Sequence, residues 1–380
     1  MGRQEQTNHL FSNRDLRILL VPLIVEQILN SLMGTADSIM VSNVGSAAIS
    51  AVSLVDSINI LVIQAFYALA AGGTIVCSQY IGQKDKKNAE ESARQLSFVV
   101  ACISSAVMAV CLLTRGPLLR LIFGSVEADV MEAAQIYFFY TALSFPFIAL
   151  YDAGSSIYRA QGNTRLPMTI AVVSNGLNIA GNAVLIWGFH LGVAGAAIAT
   201  CLGYCVPSIV GLVYFTKNRT GSLYFVPFKF DGATLAAACG NGSSEMVSNI
   251  ANAITTFVFN TLFMRYRGED GVAAITIAMY FQFVFTAVYF GFSMGVAPVI
   301  SYKFGEKNIP QLRHIFRICM TFVLACSLGT YVLSWLTLEP ALTLFTPRGS
   351  SVYEIAMHGF PIYAVSFLLM GTSIFASSLF

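Results

Sequence analysis

The sequence predicts an all-α polytopic membrane protein, and three observations carry that reading. Of 380 residues, 56% are hydrophobic and 11% charged, less than half the roughly 25% charged content of a soluble globular chain. Mean hydropathy is +0.70. Apolar windows long enough to cross a bilayer recur ten times, at about 16–41, 47–80, 88–114, 128–158, 166–188, 191–215, 233–264, 271–302, 311–337 and 351–380. The connections between them sort by charge. With the N-terminus in the cytoplasm, every Lys lies inside, and only Arg115, Arg120, Arg265, Arg267 and Arg348 lie outside. The excess of basic residues on one side predicts that orientation, in the inner (plasma) membrane.

The polar N-terminus has no apolar h-region and no small-residue cleavage site, so the first window reads as a retained span. That span, 16–41, carries Glu26, Gln27 and Asp37. A carboxylate inside lipid costs about 2.5–3.5 kcal/mol on insertion scales, so such residues face a bundle interior or a water path. Asp37 is therefore either a coupling residue for a transported ion or a hydrogen-bonding anchor for a neighbouring helix. The second span holds Asp56, and Asp152 lies near the end of the fourth. The fifth aligns Asn175, Asn178 and Asn182 on one face at i, i+3 and i+7. In the sixth, Gly192, Gly195, Ala196 and Ala199 permit close helix approach, next to Thr200. Asp37, Asn178, Asn182 and Thr200 offer only oxygens, the donor set that suits a hard cation. Interhelical hydrogen bonding is the alternative use for the asparagines. The seventh span has its own polar stripe, Glu245, Asn249, Asn252 and Thr256. Glu26, Gln27, Asp56, Glu245, Asn249 and Asn252 are the expected lining of a substrate cavity. No Lys or Arg lies deep in a span, which leaves these acids without an expected basic partner. Phe66, Tyr67, Tyr137, Tyr140, Phe281 and Phe285 are expected to pack toward lipid, the alternative being a cation–π surface for a drug-like amine.

The chain repeats itself. Gly82-Gln83-Lys84 matches Gly305-Glu306-Lys307, and Pro117-Leu-Leu-Arg-Leu matches Pro340-Ala-Leu-Thr-Leu, both at a separation of 223 residues. Phe145-Pro146 matches Phe360-Pro361, Gly154-Ser-Ser-Ile-Tyr158 matches Gly371-Thr-Ser-Ile-Phe375, and Ala47-Ala48-Ile49 matches Ala273-Ala274-Ile275. Six spans precede the second copy, so both copies enter the membrane in the same sense, a parallel repeat. The expected organisation is a six-helix lobe over 1–215, a polar cytoplasmic linker over 216–232, and a second lobe over 233–380 truncated to four helices.

Other chemistry is not indicated. No G-x-x-x-x-G-K-[ST] or G-x-S-x-G occurs, the four histidines and eight cysteines follow no metal or redox spacing, and no basic block suggests nucleic acid. An enzyme is not expected, and an ion gradient is the remaining energy source.

The chain resembles the multidrug and toxic compound extrusion (MATE) family. The likeness covers 15–380 and rests on Pro22 with Asp37-Ser-Ile-Met-Val41, Gly82-Gln-Lys-Asp85, Arg159-Ala-Gln-Gly-Asn-Thr-Arg-Leu-Pro-Met168, Asn178-Ile-Ala-Gly-Asn182 and Gly195-Ala-Ala-Ile-Ala-Thr200. The resemblance implies twelve helices in two six-helix lobes around a cleft. It also implies monomeric export of small organic cations in exchange for Na+ or H+, with no other cofactor. It places Asp37, Asn178, Asn182 and Thr200 in the ion site of the first lobe and Glu245 at the cavity of the second. Two features depart from the family pattern: Asn182 stands where many members carry Asp, which leaves the coupling ion open, and the last two helices are missing. A flippase of the wider superfamily, moving a lipid-linked anionic sugar, needs basic residues in its cleft, and a non-functional fragment is the third reading.

Overall fold

A computed structural model describes residues 13–123, 127–217 and 231–379. The expected linker falls mainly on 218–230, outside the described residues. The chain is an all-α membrane protein: α1 (Asn13–Ser42), α2 (Ser46–Gly82), α3 (Lys86–Phe123), α4 (Ala128–Ala160), α5 (Arg165–Asn182) and α6 (Gly192–Lys217), then α7 (Gly232–Gly268) and α8 (Asp270–Gly305), α9 (Ile309–Phe345) and α10 (Ser351–Ser377). Among the described residues, the nine helices from α2 to α10 are long and apolar enough to cross a membrane. Between α7 and α8 the axis breaks at Gly268, whose φ of 65° and ψ of −152° only glycine adopts readily.

Two helices outrun their apolar windows in the same way. α3 passes Pro117 to reach Phe123, and α9 passes Pro340 to reach Phe345. The apolar window ends before each proline, yet a proline removes only one backbone hydrogen bond, and the mostly apolar Leu118–Phe123 and Ala341–Phe345 continue the helix beyond it.

The turn after α2 and the turn after α8 are built alike. Lys84 and Lys307 both take left-handed φ, at 60° and 56°. The amide of Asp85 bonds the Tyr80 carbonyl at 3.0 Å, and that of Asn308 bonds Lys303 at 3.3 Å. This six-to-one closure caps the preceding helix. Asp85 then accepts from the Asn88 amide at 3.1 Å, and Asn308 from the Gln311 amide at 3.3 Å, each opening the next helix. Every pair is 223 residues apart.

Apolar burial divides along the chain. One cluster draws on α1–α6 around Phe138 and Phe145; two more draw on α7–α10, around Phe360 and Phe367 and around Phe292 and Phe375. The halves meet through backbone. A Cβ on Gly82 would stand 2.0 Å from the Tyr302 carbonyl oxygen, and one on Gly305 would stand 2.1 Å from that of Gln79. The contact is reciprocal, since Gln79 and Tyr302 are themselves 223 apart. Gly72 and Gly242 repeat the arrangement between α2 and α7, with Cβ positions 2.0 Å from the Ala238 oxygen and 2.2 Å from the Ala68 oxygen. These approaches lie toward the end of the bundle where α2 finishes and α7 begins. There, Gln95 on α3 donates to the Asp231 carbonyl at 2.5 Å and accepts from its amide at 3.2 Å. The Asp231 side chain caps α7, and the hydrogen bond from the Thr234 hydroxyl, then those from the Ala233 and Thr234 amides, hold its carboxyl below its ordinary 3.8. This cap is complete above that value and fades as pH falls through the lowered one.

The aromatic expectation needs correcting. Phe66, Tyr137 and Phe285 are buried in the bundle. Phe66 meets Phe145 edge-on at 6.1 Å, Phe281 meets Phe360 at 5.0 Å and Phe285 meets Phe367 at 5.2 Å. Edge-to-face pairs favour helix–helix interiors over lipid contact.

Candidate functional site

α1, α5 and α6 converge on one chain of hydrogen bonds. α5 presents its asparagines on one face; Asn178 and Asn182 are 0% exposed. The Asn182 amide nitrogen donates to Asp37 Oδ1 and, at 3.3 Å, to Asn178 Oδ1. Asn178 in turn donates to Thr200 Oγ1 at 3.2 Å, and Thr200 donates to the Ala196 carbonyl at 3.0 Å. The four residues singled out from the sequence thus share one network. One atom in it is left over: Asn182 Oδ1 is buried with no hydrogen-bond partner among the described residues. A buried carbonyl oxygen without a partner is costly, and beside a carboxylate it is a ready donor to a small cation. Asn175 points elsewhere, donating to Ala171 O at 2.7 Å within its own helix.

Local backbone serves this cluster. Directly after Asn182 the helix widens into a π turn, Ala183–Gly188, of a kind that recurs at functional sites. Gly195 of α6 packs against it, with its Cβ position 3.0 Å from the Leu185 carbonyl. The sequence window ran unbroken through 166–188, and apolar periodicity carries no mark of one extra residue per turn.

The expected substrate-cavity residues do not share one cavity. Glu26 is 1% exposed and bonds Arg159 Nη2 at 2.5 Å, with Arg159 itself 7% exposed. This corrects the expectation that the acids lack a basic partner. Arg159, read from sequence as part of a connection, is the last-turn residue of α4 and turns inward. Burial of an ion pair is tolerated only with close geometry. Gln27 donates to Met294 Sδ at 3.2 Å and Asn249 to Gln64 Oε1 at 3.1 Å, so both join the two halves. Asp56 accepts from Asn59 at 3.3 Å and from the Tyr137 hydroxyl at 3.2 Å, within the first half. Asn252 is exposed on α7. Glu245, 6% exposed, alone of the six lines the small pocket between the halves, where Tyr67, Thr74, Arg159, Asn241 and Ser377 stand among apolar residues such as Ile75, Phe290 and Met294. That pocket has a volume of about 40 Å³, room for one or two waters. A larger cavity of about 430 Å³ lies between α7, α8 and α10, lined by Phe259, Phe263, Phe360 and Tyr363, with Tyr363 donating to Gln282.

The chain matches the MatE family over residues 22–184 and 246–380. It is similar to the uncharacterized transporter YisQ of Bacillus subtilis (strain 168), 33% identical over 218 residues, which is 56% of this chain and 46% of that protein. It is also similar to the multidrug export protein MepA of Staphylococcus haemolyticus (strain JCSC1435), 24% identical over 92% of this chain and 78% of the relative. Thus the chain spans under half of the first of these proteins and about three quarters of the second. Among solved structures, an outward-facing multidrug resistance MATE transporter of the MOP superfamily superposes with a TM-score of 0.87 at 21% identity, over 96% of this chain and 82% of that one. At that identity the superposition speaks for the fold.

Proposed function

This chain belongs to the MatE family, and from that premise we propose that it is a secondary active antiporter exporting small organic cations in exchange for Na+, with H+ as the alternative coupling ion. The observation that carries the reading is the Asp37–Asn182–Asn178–Thr200 chain with its leftover Asn182 oxygen. It combines one carboxylate with neutral oxygens. An ionised carboxylate completed by neutral oxygens suits Na+, whereas proton exchange needs the carboxyl to titrate near neutrality.

The organisation follows the same premise: a lobe over 1–215, a linker over 216–232 and a second lobe over 233–380, with the N-terminus in the cytoplasm and the protein acting as a monomer. The paired turns after α2 and α8 and the reciprocal Gly82 and Gly305 contacts support a parallel repeat. On that orientation the tight seam closes the cytoplasmic end of the cleft, so the conformation reads as outward-facing. A coupling cation drives the cycle by binding the two orientations unequally; equal affinity shifts nothing. Moving a 1:99 equilibrium to 99:1 takes about 5.5 kcal/mol of differential binding.

The flippase alternative gains a basic residue at the pocket, Arg159, but its charge is already met by Glu26. An anionic headgroup therefore meets a guanidinium whose charge is already balanced, although its Nε has no hydrogen-bond partner among the described residues. In proteoliposomes, an inward Na+ gradient at equal pH on both sides is expected to drive efflux of a fluorescent organic cation. Equal efflux under a pH gradient with no Na+ present overturns Na+ coupling.

A further inference from the structure

We propose that Arg159 is a resident internal cation: it occupies, at Glu26 in the first half, the place that the equivalent Glu245 leaves open to a mobile cation in the second. The inference rests on the cation-coupled reading above and adds an asymmetry between the halves.

The equivalence of the two glutamates comes from register. Glu26 and Asn30 on α1 stand 219 residues before Glu245 and Asn249 on α7. The packing keeps that register. Ala68 meets Gly242, and the Leu23–Ile24 peptide meets Gly291, so the α2 residue and its α8 counterpart touch positions about 219 apart. Both glutamates are nearly fully buried. They differ in what they face. Glu26 holds the guanidinium of Arg159 at 2.5 Å. The matching segment of α10, Gly371-Thr-Ser-Ile-Phe375, is followed by Ala376 where α4 has Arg159. Glu245 has no ion pair or side-chain hydrogen bond among the described residues, and it lines the pocket between the halves with Ser377, Asn241 and Arg159, whose guanidinium is engaged by Glu26 rather than by Glu245. A buried carboxylate without a fixed partner takes its countercharge from outside, as a proton or, where it stays ionised, as a metal cation. One half of the repeat therefore carries its countercharge in the chain, and the other draws it from solution. The consequence is a limit on stoichiometry, because Glu26 is withheld from the exchange.

The test counts ²²Na+ bound per molecule at saturation and pH 8, using the full chain in nanodiscs. Arg159→Gln is expected to bind one Na+ more than the wild type, and adding Glu26→Gln is expected to remove the extra ion. Arg159→Lys is expected to keep the wild-type count. Should Arg159→Gln not fold, the single carboxylate variants still decide: Glu245→Gln is expected to lose one Na+ and Glu26→Gln none. An unchanged count in a folded Arg159→Gln, or equal losses from Glu26→Gln and Glu245→Gln, overturns the proposal. A wild type that binds no Na+ at all instead overturns the Na+-coupled reading beneath it.

Discussion

Asp37→Asn is expected to abolish gradient-driven efflux at wild-type expression. The amide keeps the shape of the side chain and can still bond Asn182, so helix packing between α1 and α5 survives. What disappears is the one full negative charge in the Asp37–Asn182–Asn178–Thr200 chain. A coupling free energy of about 1–3 kcal/mol corresponds to roughly 5–150-fold in affinity, and losing it uncouples ion from substrate. Asn175→Ala is expected to be mild, since that residue bonds only its own helix. Efflux by Asp37→Asn within twofold of wild type returns Asp37 to a packing role.

The second large effect is expected at the seam. Gly82→Ala with Gly305→Ala puts two methyl groups where backbone oxygens already stand, at 2.0 and 2.1 Å. Backbone atoms cannot rotate away, so the α2 and α8 ends must separate. Overpacking costs about 1–3 kcal/mol per site, about 5- to 150-fold each in a two-state equilibrium. The pair is expected to favour the cytoplasm-open orientation and to lose efflux while inserting normally. Alkylation of a Gln79→Cys variant should rise accordingly. The control is Gly359→Ala, where nothing lies within 4 Å of the added Cβ. Unchanged alkylation and efflux in the double variant would show that the seam opens without help.

Much of this is legible in the amino-acid sequence. Each span is long and continuous in its apolar character, so helix number and most limits follow from a one-dimensional pattern, including the break near Gly268, but not the turns that carry two helices past Pro117 and Pro340. The pairing of Asn178 with Asn182 was legible too, because i, i+4 spacing fixes a helix face whatever it meets, but the same periodicity grouped Asn175 with them although it bonds Ala171 instead. Partners were not legible. Arg159 sits at a helix end, where sequence alone cannot separate a solvated last turn from one that turns inward. Gln27 and Asn249 look like cavity residues until their cross-chain contacts with Met294 and Gln64 are known. Phe66 and Phe285 carry the same apolar signal whether they face lipid or another ring. The π turn after Asn182 left no trace, since it changes hydrogen-bond register while leaving composition untouched.

The claim at the centre is that a cation rests on Asp37 and the leftover oxygen of Asn182. Equilibrium ²²Na+ binding to wild type and Asp37→Asn, side by side at pH 8 in nanodiscs, addresses it without transport. The account predicts that Asp37→Asn binds one Na+ fewer per molecule, while thermal stability stays near wild type. Identical binding by the two proteins would contradict it.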